Sequence, residues 1–259
     1  VLGAGLWAAA AYSMTSAVVL ICYLLIVRRK FFNPFFRLTQ GNSMNWRREI
    51  MPMQWQLGLQ SLVGYFSLSL FTPVMFYYYG PAVAGKMGMT WQIVTAIQSF
   101  SSLWFVTKTP KLGMMVVNRD FRLLDKKWRH STLISIVIMV LLIFSACLLI
   151  ELLNVLNWPA MQRLLSPISF LMLGIGAIFS QSIYSIAIYL RAHKREILTP
   201  ISIPSAILIG LAVWQGGIYY GPLGSCIGYL TIISLVSFPL VLIKWQRFRH
   251  LWQKPEPTL

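Results

Sequence analysis

Gln92, Thr95, Gln98, Ser99 and Ser102 recur at close spacing inside an otherwise apolar run. At about 100° per residue they fall within roughly 120° of arc on one helix face. Gln56, Gln60, Gly64 and Ser67 share about 80° of arc on a second helix. Gln181, Tyr184 and Ser185 share one face of a third. Uncharged amides and hydroxyls are poorly placed against lipid. Two uses stand open for them: hydrogen bonds between helices, or the lining of a wet cavity. The row on the Gln92 helix exceeds what one or two interhelical bonds require. A lining of amides and hydroxyls suits a sugar, whose surface is mostly hydroxyl donors and acceptors. The candidate contacts are Gln56, Gln60, Gln92, Thr95, Gln98, Ser102 and Gln181. Lys108 and Lys111 flank Pro110 just beyond the Gln92 row. Lysines there either snorkel to lipid headgroups or meet a phosphate group, and on the second reading they join the list.

Other chemistry is thinly represented. Cys22, Cys147 and Cys226 fall in apolar runs with no CxxC, and they read as small packing residues. His130, His193 and His250 sit in basic segments. HExxH, GxSxG and the GK[ST] phosphate loop are all missing from the sequence. The acids are Glu49, Asp120, Asp125, Glu151, Glu196 and Glu256, and no two form an evident catalytic pair in an apolar run. The expectation is a protein that is not an enzyme and uses no metal and no cofactor. Glu151 alone among the acids lies inside an apolar run, near its end, where an interfacial position is expected.

The elements that must position these residues follow from composition. The chain has 259 residues, 57% of them apolar and 11% charged. Soluble domains run at about 45–50% apolar even with glycine counted. Yet 22 Lys and Arg against 6 Asp and Glu leave a net charge of +16. A soluble nucleic-acid binder would spread such charge over a polar surface that this chain lacks. Disorder, collagen and a disulfide scaffold are also excluded. The fold class expected is all-α, a polytopic helical membrane protein of about seven transmembrane helices. Spanning takes about 20 mostly apolar residues. Runs of that kind cover residues 5–27, 56–76, 89–107, 132–153, 168–190, 201–218 and 223–243.

The connectors orient these spans. One side receives Arg28, Arg29, Lys30, Arg37, Arg47 and Arg48, then Lys108, Lys111, Arg119, Arg122, Lys126, Lys127 and Arg129. It also receives Arg191, Lys194 and Arg195, and the tail cations Lys244, Arg247, Arg249 and Lys254. The opposite side holds Lys86 and Arg163 alone. The positive-inside rule puts the basic side in the cytoplasm, facing anionic lipid, with the chain's N-terminus outside and its C-terminus inside. No nucleic-acid partner is expected. An outside N-terminus at the head of a span suggests missing upstream helices. The expected organisation is residues 1–30 as the last helix of a missing N-terminal lobe, 31–55 as a basic cytoplasmic linker, 56–243 as a six-helix lobe, and 244–259 as a cytoplasmic tail.

Finer patterns add detail. Small residues recur every fourth position at Gly5, Ala9, Ser13 and Ala17, at Ser202, Ala206 and Gly210, and at Gly224 and Gly228. Such rows let helices approach closely in lipid. Pro73, Pro204 and Pro239 fall inside spans, where kinks are common. Leu112, Val116, Leu123, Leu124 and Trp128 alternate with Arg119, Arg122, Lys126 and Lys127, which predicts an amphipathic interfacial helix or a helix extension. Phe31, Phe32, Phe35 and Phe36 around Asn33-Pro34 are expected to dip into the same interface.

Tyr78-Tyr79-Gly80-Pro81 and Tyr219-Tyr220-Gly221-Pro222 stand at corresponding outer hairpins. Gly and Pro make tight turns and Tyr anchors at the interface, although a duplicated carrier architecture would also place them so. The first hairpin opens a polar helix ending at Thr109-Pro110, followed by Asn118-Arg119-Asp120 and a basic amphipathic run. Then come Tyr189-Leu190-Arg191-Ala192-His193-Lys194, the second hairpin with Leu223 and Gly224, and Gly228-Tyr229. This order resembles the C-terminal half of Wzx-type polysaccharide flippases of the multidrug/oligosaccharidyl-lipid/polysaccharide exporter superfamily. The resemblance implies two six-helix lobes around a central cavity, in the bacterial cytoplasmic membrane. It implies alternating-access export of an undecaprenyl-diphosphate-linked oligosaccharide for surface polysaccharide such as lipopolysaccharide, alongside other polysaccharide-assembly proteins. On that reading the glutamines line the glycan path, and Lys108 and Lys111 contact the diphosphate. Three rivals remain: a cation-coupled multidrug antiporter of the same fold, a membrane-embedded glycan enzyme, and a structural membrane subunit.

Overall fold

The computed structural model describes residues 2–27, 51–156, 158, 163–193 and 196–252. The chain divides into two units, Val1–Glu49 and Ile50–Leu259. The first unit contains α1, Leu2–Val27. The phenylalanine-rich segment at 31–36 lies outside the described residues.

The second unit contains α2 (Met51–Ser69), α3 (Phe71–Val106), α4 (Thr109–Val117), α5 (Phe121–Val155) and α6 (Pro167–Ala192). It continues with α7 (Thr199–Thr231), a π-helical segment (Ile232–Ser237) and α8 (Phe238–Trp252). No strand occurs among the described residues. The continuous apolar helical stretches are Gln54–Val117, Phe121–Val155, Pro167–Ala192 and Thr199–Arg249, with a shorter one at Met14–Leu24.

Two of these stretches, at 64 and 51 residues, are too long for one crossing. At about 1.5 Å per residue, each would be two to three times the roughly 30 Å of bilayer hydrocarbon. Both fold back at a single glycine. Gly80 has φ 83° and Gly221 has φ 65°, a region that residues with a Cβ avoid. A proline follows each glycine; it disfavours helix at the residue before it and starts the next helix well. The antiparallel arms then touch. A side chain on Gly88 would meet Thr72, and one on Gly228 would lie 2.7 Å from the Ala212 carbonyl oxygen. The two tips also meet: the Tyr79 hydroxyl donates to the Ile218 carbonyl at 3.1 Å, and its ring lies against Gly221. The four stretches therefore make six crossings.

The surface shows what solvent surrounds them. Along α5, Ser131 and Ser135 are buried with Met139 and Ile143, while Leu133, Val137, Leu141, Phe144 and Leu148 are exposed. Polar groups inside and leucines outside invert the pattern of a soluble helix. The chain is an all-α polytopic membrane protein.

Several boundaries differ from those read in the sequence. Among the described residues, helix is already present at Met51, ahead of residue 56, and continues past residue 243 through Trp252. The first hairpin turns on Gly80 alone, with helix on both sides, so no twelve-residue connector separates the second and third spans. The amphipathic run is not one helix. Asn118 and Asp120 bracket Arg119 at φ 58°, and this turn separates α4 from the basic start of α5. The π segment ends at Ser237, two residues before Pro239. The Phe238 amide bonds to the Ile233 carbonyl, a wider spacing that accommodates a ring unable to donate.

Two clusters form the core. Phe71, Met75, Met87, Val94, Met139, Phe170 and Tyr229 pack toward the hairpin end. Phe105, Leu124, Trp128, Tyr189, Val241 and Trp245 pack at the opposite, basic end.

Candidate functional site

The 81–106 arm of α3 carries Trp91, Gln92, Thr95 and Gln98 along one face, near its middle. Helical period alone puts them together. Packing adds partners from other elements: Tyr65 and Ser69 of α2, Thr72 of the other α3 arm, Ser180 of α6 and Tyr229 of α7. Together they line a groove of about 460 Å³. Gln98 Nε2 donates to Ser180 Oγ at 3.2 Å, and the Thr95 hydroxyl donates to the Trp91 carbonyl at 3.0 Å. The Gln92 amide is exposed in the groove. Trp91 stacks on Phe71 at 5.1 Å and meets Tyr229 edge-on at 5.6 Å, so the aromatic wall is held in place. The groove thus offers fixed ring faces beside uncharged donors and acceptors.

Ser102 and Gln181 lie one layer deeper. Gln181 is buried, with its Oε1 3.1 Å from the Ser102 hydroxyl and its Nε2 donating to Ser135 Oγ at 2.8 Å. Ser135 in turn donates to the Ser101 carbonyl at 2.7 Å. This network joins α3, α5 and α6, and it uses these side chains as interhelical glue. Gln181→Leu is expected to cost about 2 kcal/mol by leaving buried hydroxyls without their amide. Unfolding in detergent micelles measures it, and unchanged stability would shift Gln181 from scaffold to ligand contact.

Gln60 is engaged elsewhere. Its Nε2 donates to Thr199 Oγ1 at 2.8 Å and to Glu196 Oε1 at 3.1 Å. Glu196, with its side chain only 2% exposed, also pairs with Arg191 at 2.8 Å. Gln60 therefore ties α2 to the start of α7 rather than lining the groove. Gln56 is exposed and does not line it either.

Lys108 and Lys111 line a different cavity, of about 540 Å³, with Lys126, Lys127 and His130. It shares no residue with the groove. The Lys108 ammonium lies over the Trp104 ring at 4.7 Å.

A further cluster closes the basic end. Asp125 accepts from the Tyr189 hydroxyl at 2.8 Å and pairs with the Arg249 guanidinium, which also lies over the Trp245 ring. His193 stacks on Phe121, and its Nδ1 lies 3.0 Å from the Tyr189 carbonyl. Burial lowers the His193 pKa, against the opposing pull of that carbonyl and of Asp125. Glu151 is exposed near the end of α5.

The structure thus gathers Gln92, Thr95 and Gln98 in the groove, sets Ser102 against the Gln98 carbonyl at 2.7 Å with Gln181 bonded to it, and leaves Gln56, Gln60, Lys108 and Lys111 outside the groove. Sequence reasoning missed Trp91, Tyr65 and Ser180 in the groove. It also missed Lys126, Lys127 and His130 beside Lys108, although their three- and four-residue spacing with Leu123 marks one helix face. The ion pairs of Asp125 and Glu196 left no local signal. No family model, curated protein or solved structure matches the chain.

Proposed function

We propose that this protein moves a lipid-linked oligosaccharide across the membrane, with the glycan passing along the groove of Gln92, Thr95 and Gln98. The observation that carries the reading is a groove near the middle of the α3 arm that joins amides and hydroxyls to a braced aromatic wall. Such a surface matches a sugar, which has hydroxyls at its rim and apolar C–H faces. It suits a neutral ligand, because no charged side chain lines it. Paired Asp125 and Glu196 lie at the basic end, away from the groove, which gives a cation-coupled antiporter no acid there. The resemblance to Wzx-type flippases supplies the carrier class, an undecaprenyl-diphosphate lipid, and the bacterial cytoplasmic membrane. The cation asymmetry orients the basic end to the cytoplasm. There Lys108 and Lys111 would meet the diphosphate as substrate enters.

The test is surface glycan in cells whose export depends on this protein. Changing Gln92 and Gln98 together to Ala is expected to lower it about thirtyfold, from two lost hydrogen bonds of roughly 1 kcal/mol each. Membrane abundance, followed by immunoblot, should stay at the wild-type level. Full export by the double variant would remove the groove from the path.

A further inference from the structure

We propose that the cavity between α4 and the start of α5 is a binding site for the phosphate headgroup of an anionic phospholipid. Lys108, the residue just before α4, and Lys111 within it line the cavity together with Lys126, Lys127 and His130 of α5. No Asp or Glu lines it. Four lysines line this one cavity with no carboxylate among them, and an anion bound there offsets their mutual repulsion. The N-terminal half of α4 faces the same space, so the positive end of its helix dipole adds to the field.

The remaining walls choose between a lipid and a free anion. Leu112, Met115 and Leu123 make the cavity amphiphilic, cationic at one part and apolar at another. A free phosphate has no use for the apolar wall, whereas a phospholipid lays the upper part of an acyl chain on it. The depth also fits. The α3 span ends at Val106, and the basic turns of α5 precede its apolar length, so the lysines stand where headgroups lie. Lysine near an anionic leaflet attracts its lipids in general; here two helices converge to shape a cavity as well as a charge. The site shares no residue with the polar groove, so it stands whether or not that groove carries glycan. An incoming lipid-linked diphosphate would have to displace the resident phospholipid.

The full chain in mixed-lipid nanodiscs tests this, with bound lipid counted by native mass spectrometry. Phosphatidylglycerol should be retained in preference to phosphatidylcholine. Changing Lys108, Lys111, Lys126 and Lys127 to Gln should weaken that retention about tenfold or more. The matching Arg variant should restore it, and Lys86→Gln at the opposite end should leave it unchanged. Competition on the wild type needs no variant: short-chain phosphatidylglycerol should displace a fluorescent analogue where short-chain phosphatidylcholine does not. Equal retention of both lipids, or by the Gln variant, would overturn the site. Displacement by millimolar inorganic phosphate would overturn the lipid as its ligand. Either failure leaves glycan export by the Gln92 and Gln98 variants as a separate question.

Discussion

Gly224→Leu is expected to abolish the folded six-crossing unit, and Gly224→Ala to destabilise it by about 3 kcal/mol, the upper part of the usual overpacking range. A Cβ on Gly224 would lie 2.9 Å from the Gly216 carbonyl carbon, nearer still to its oxygen, and 2.5 Å from Tyr220 Cβ. Reciprocally, a Cβ on Gly216 would lie 2.7 Å from the Gly224 carbonyl carbon. The obstacle on each side is backbone, which cannot swing away as a side-chain tip can. The arms would have to separate, and the hairpin tip at Gly221 holds them together. Separation would also disturb the Tyr79 contact between the two hairpins. Gly64→Ala is the control. Nothing lies within 4 Å of a Cβ there, and alanine in a helix interior is favoured over glycine by up to about 1 kcal/mol. Unfolding of both variants in the same detergent should show opposite shifts. A Gly224→Leu protein that melts with the wild type would disprove the close antiparallel packing.

Asp125→Ala is expected to cost about 3 kcal/mol, the lower end of the range for breaking a buried pair. The lower end applies because the Asp125 and Arg249 side chains are 15% and 26% exposed. The loss is more than one bond. Asp125 takes both the Arg249 guanidinium and the Tyr189 hydroxyl, so it joins α5, α6 and α8 at one point. Without it, a guanidinium remains over Trp245 in a cluster with Trp128 and Tyr189. Asp125→Asn should cost less, because an amide oxygen still accepts from Tyr189. A double-mutant cycle with Arg249→Met isolates the pair. A coupling near zero would show that the geometry contributes no net stability.

Much of the fold was legible in the sequence because it depends on local rules. Twenty-residue apolar runs mark crossings in any order of assembly. The Gly80-Pro81 and Gly221-Pro222 pairs mark hairpins because a positive φ followed by a helix-starting ring is a property of two adjacent residues. The polar stripe of Gln92, Thr95 and Gln98 was visible for the same reason, since helical period is the only geometry it needs. The turn at Arg119 was less legible. A basic amphipathic run reads as one helix until a single residue in the left-handed region divides it.

The use of each polar group could not be read this way. Gln60 and Gln98 look equivalent along the chain, yet one bonds Glu196 across 136 residues and the other faces a groove. Gln181 looked like a groove residue, but it sits one helical position past Ser180, which turns it inward to Ser102 and Ser135. Lys108 and Lys111 follow the polar row closely in the chain, yet they line a separate cavity that α5 completes. Periodicity gives the angle of each residue about its own helix, so the sequence by itself determined which residues share a face, where the chain crosses lipid and where it turns back. Which faces meet depends on the order, rotation and depth of the helices, and those follow from packing summed over the whole bundle. Only the tertiary structure decided which amides hold helices together and which remain open to a ligand.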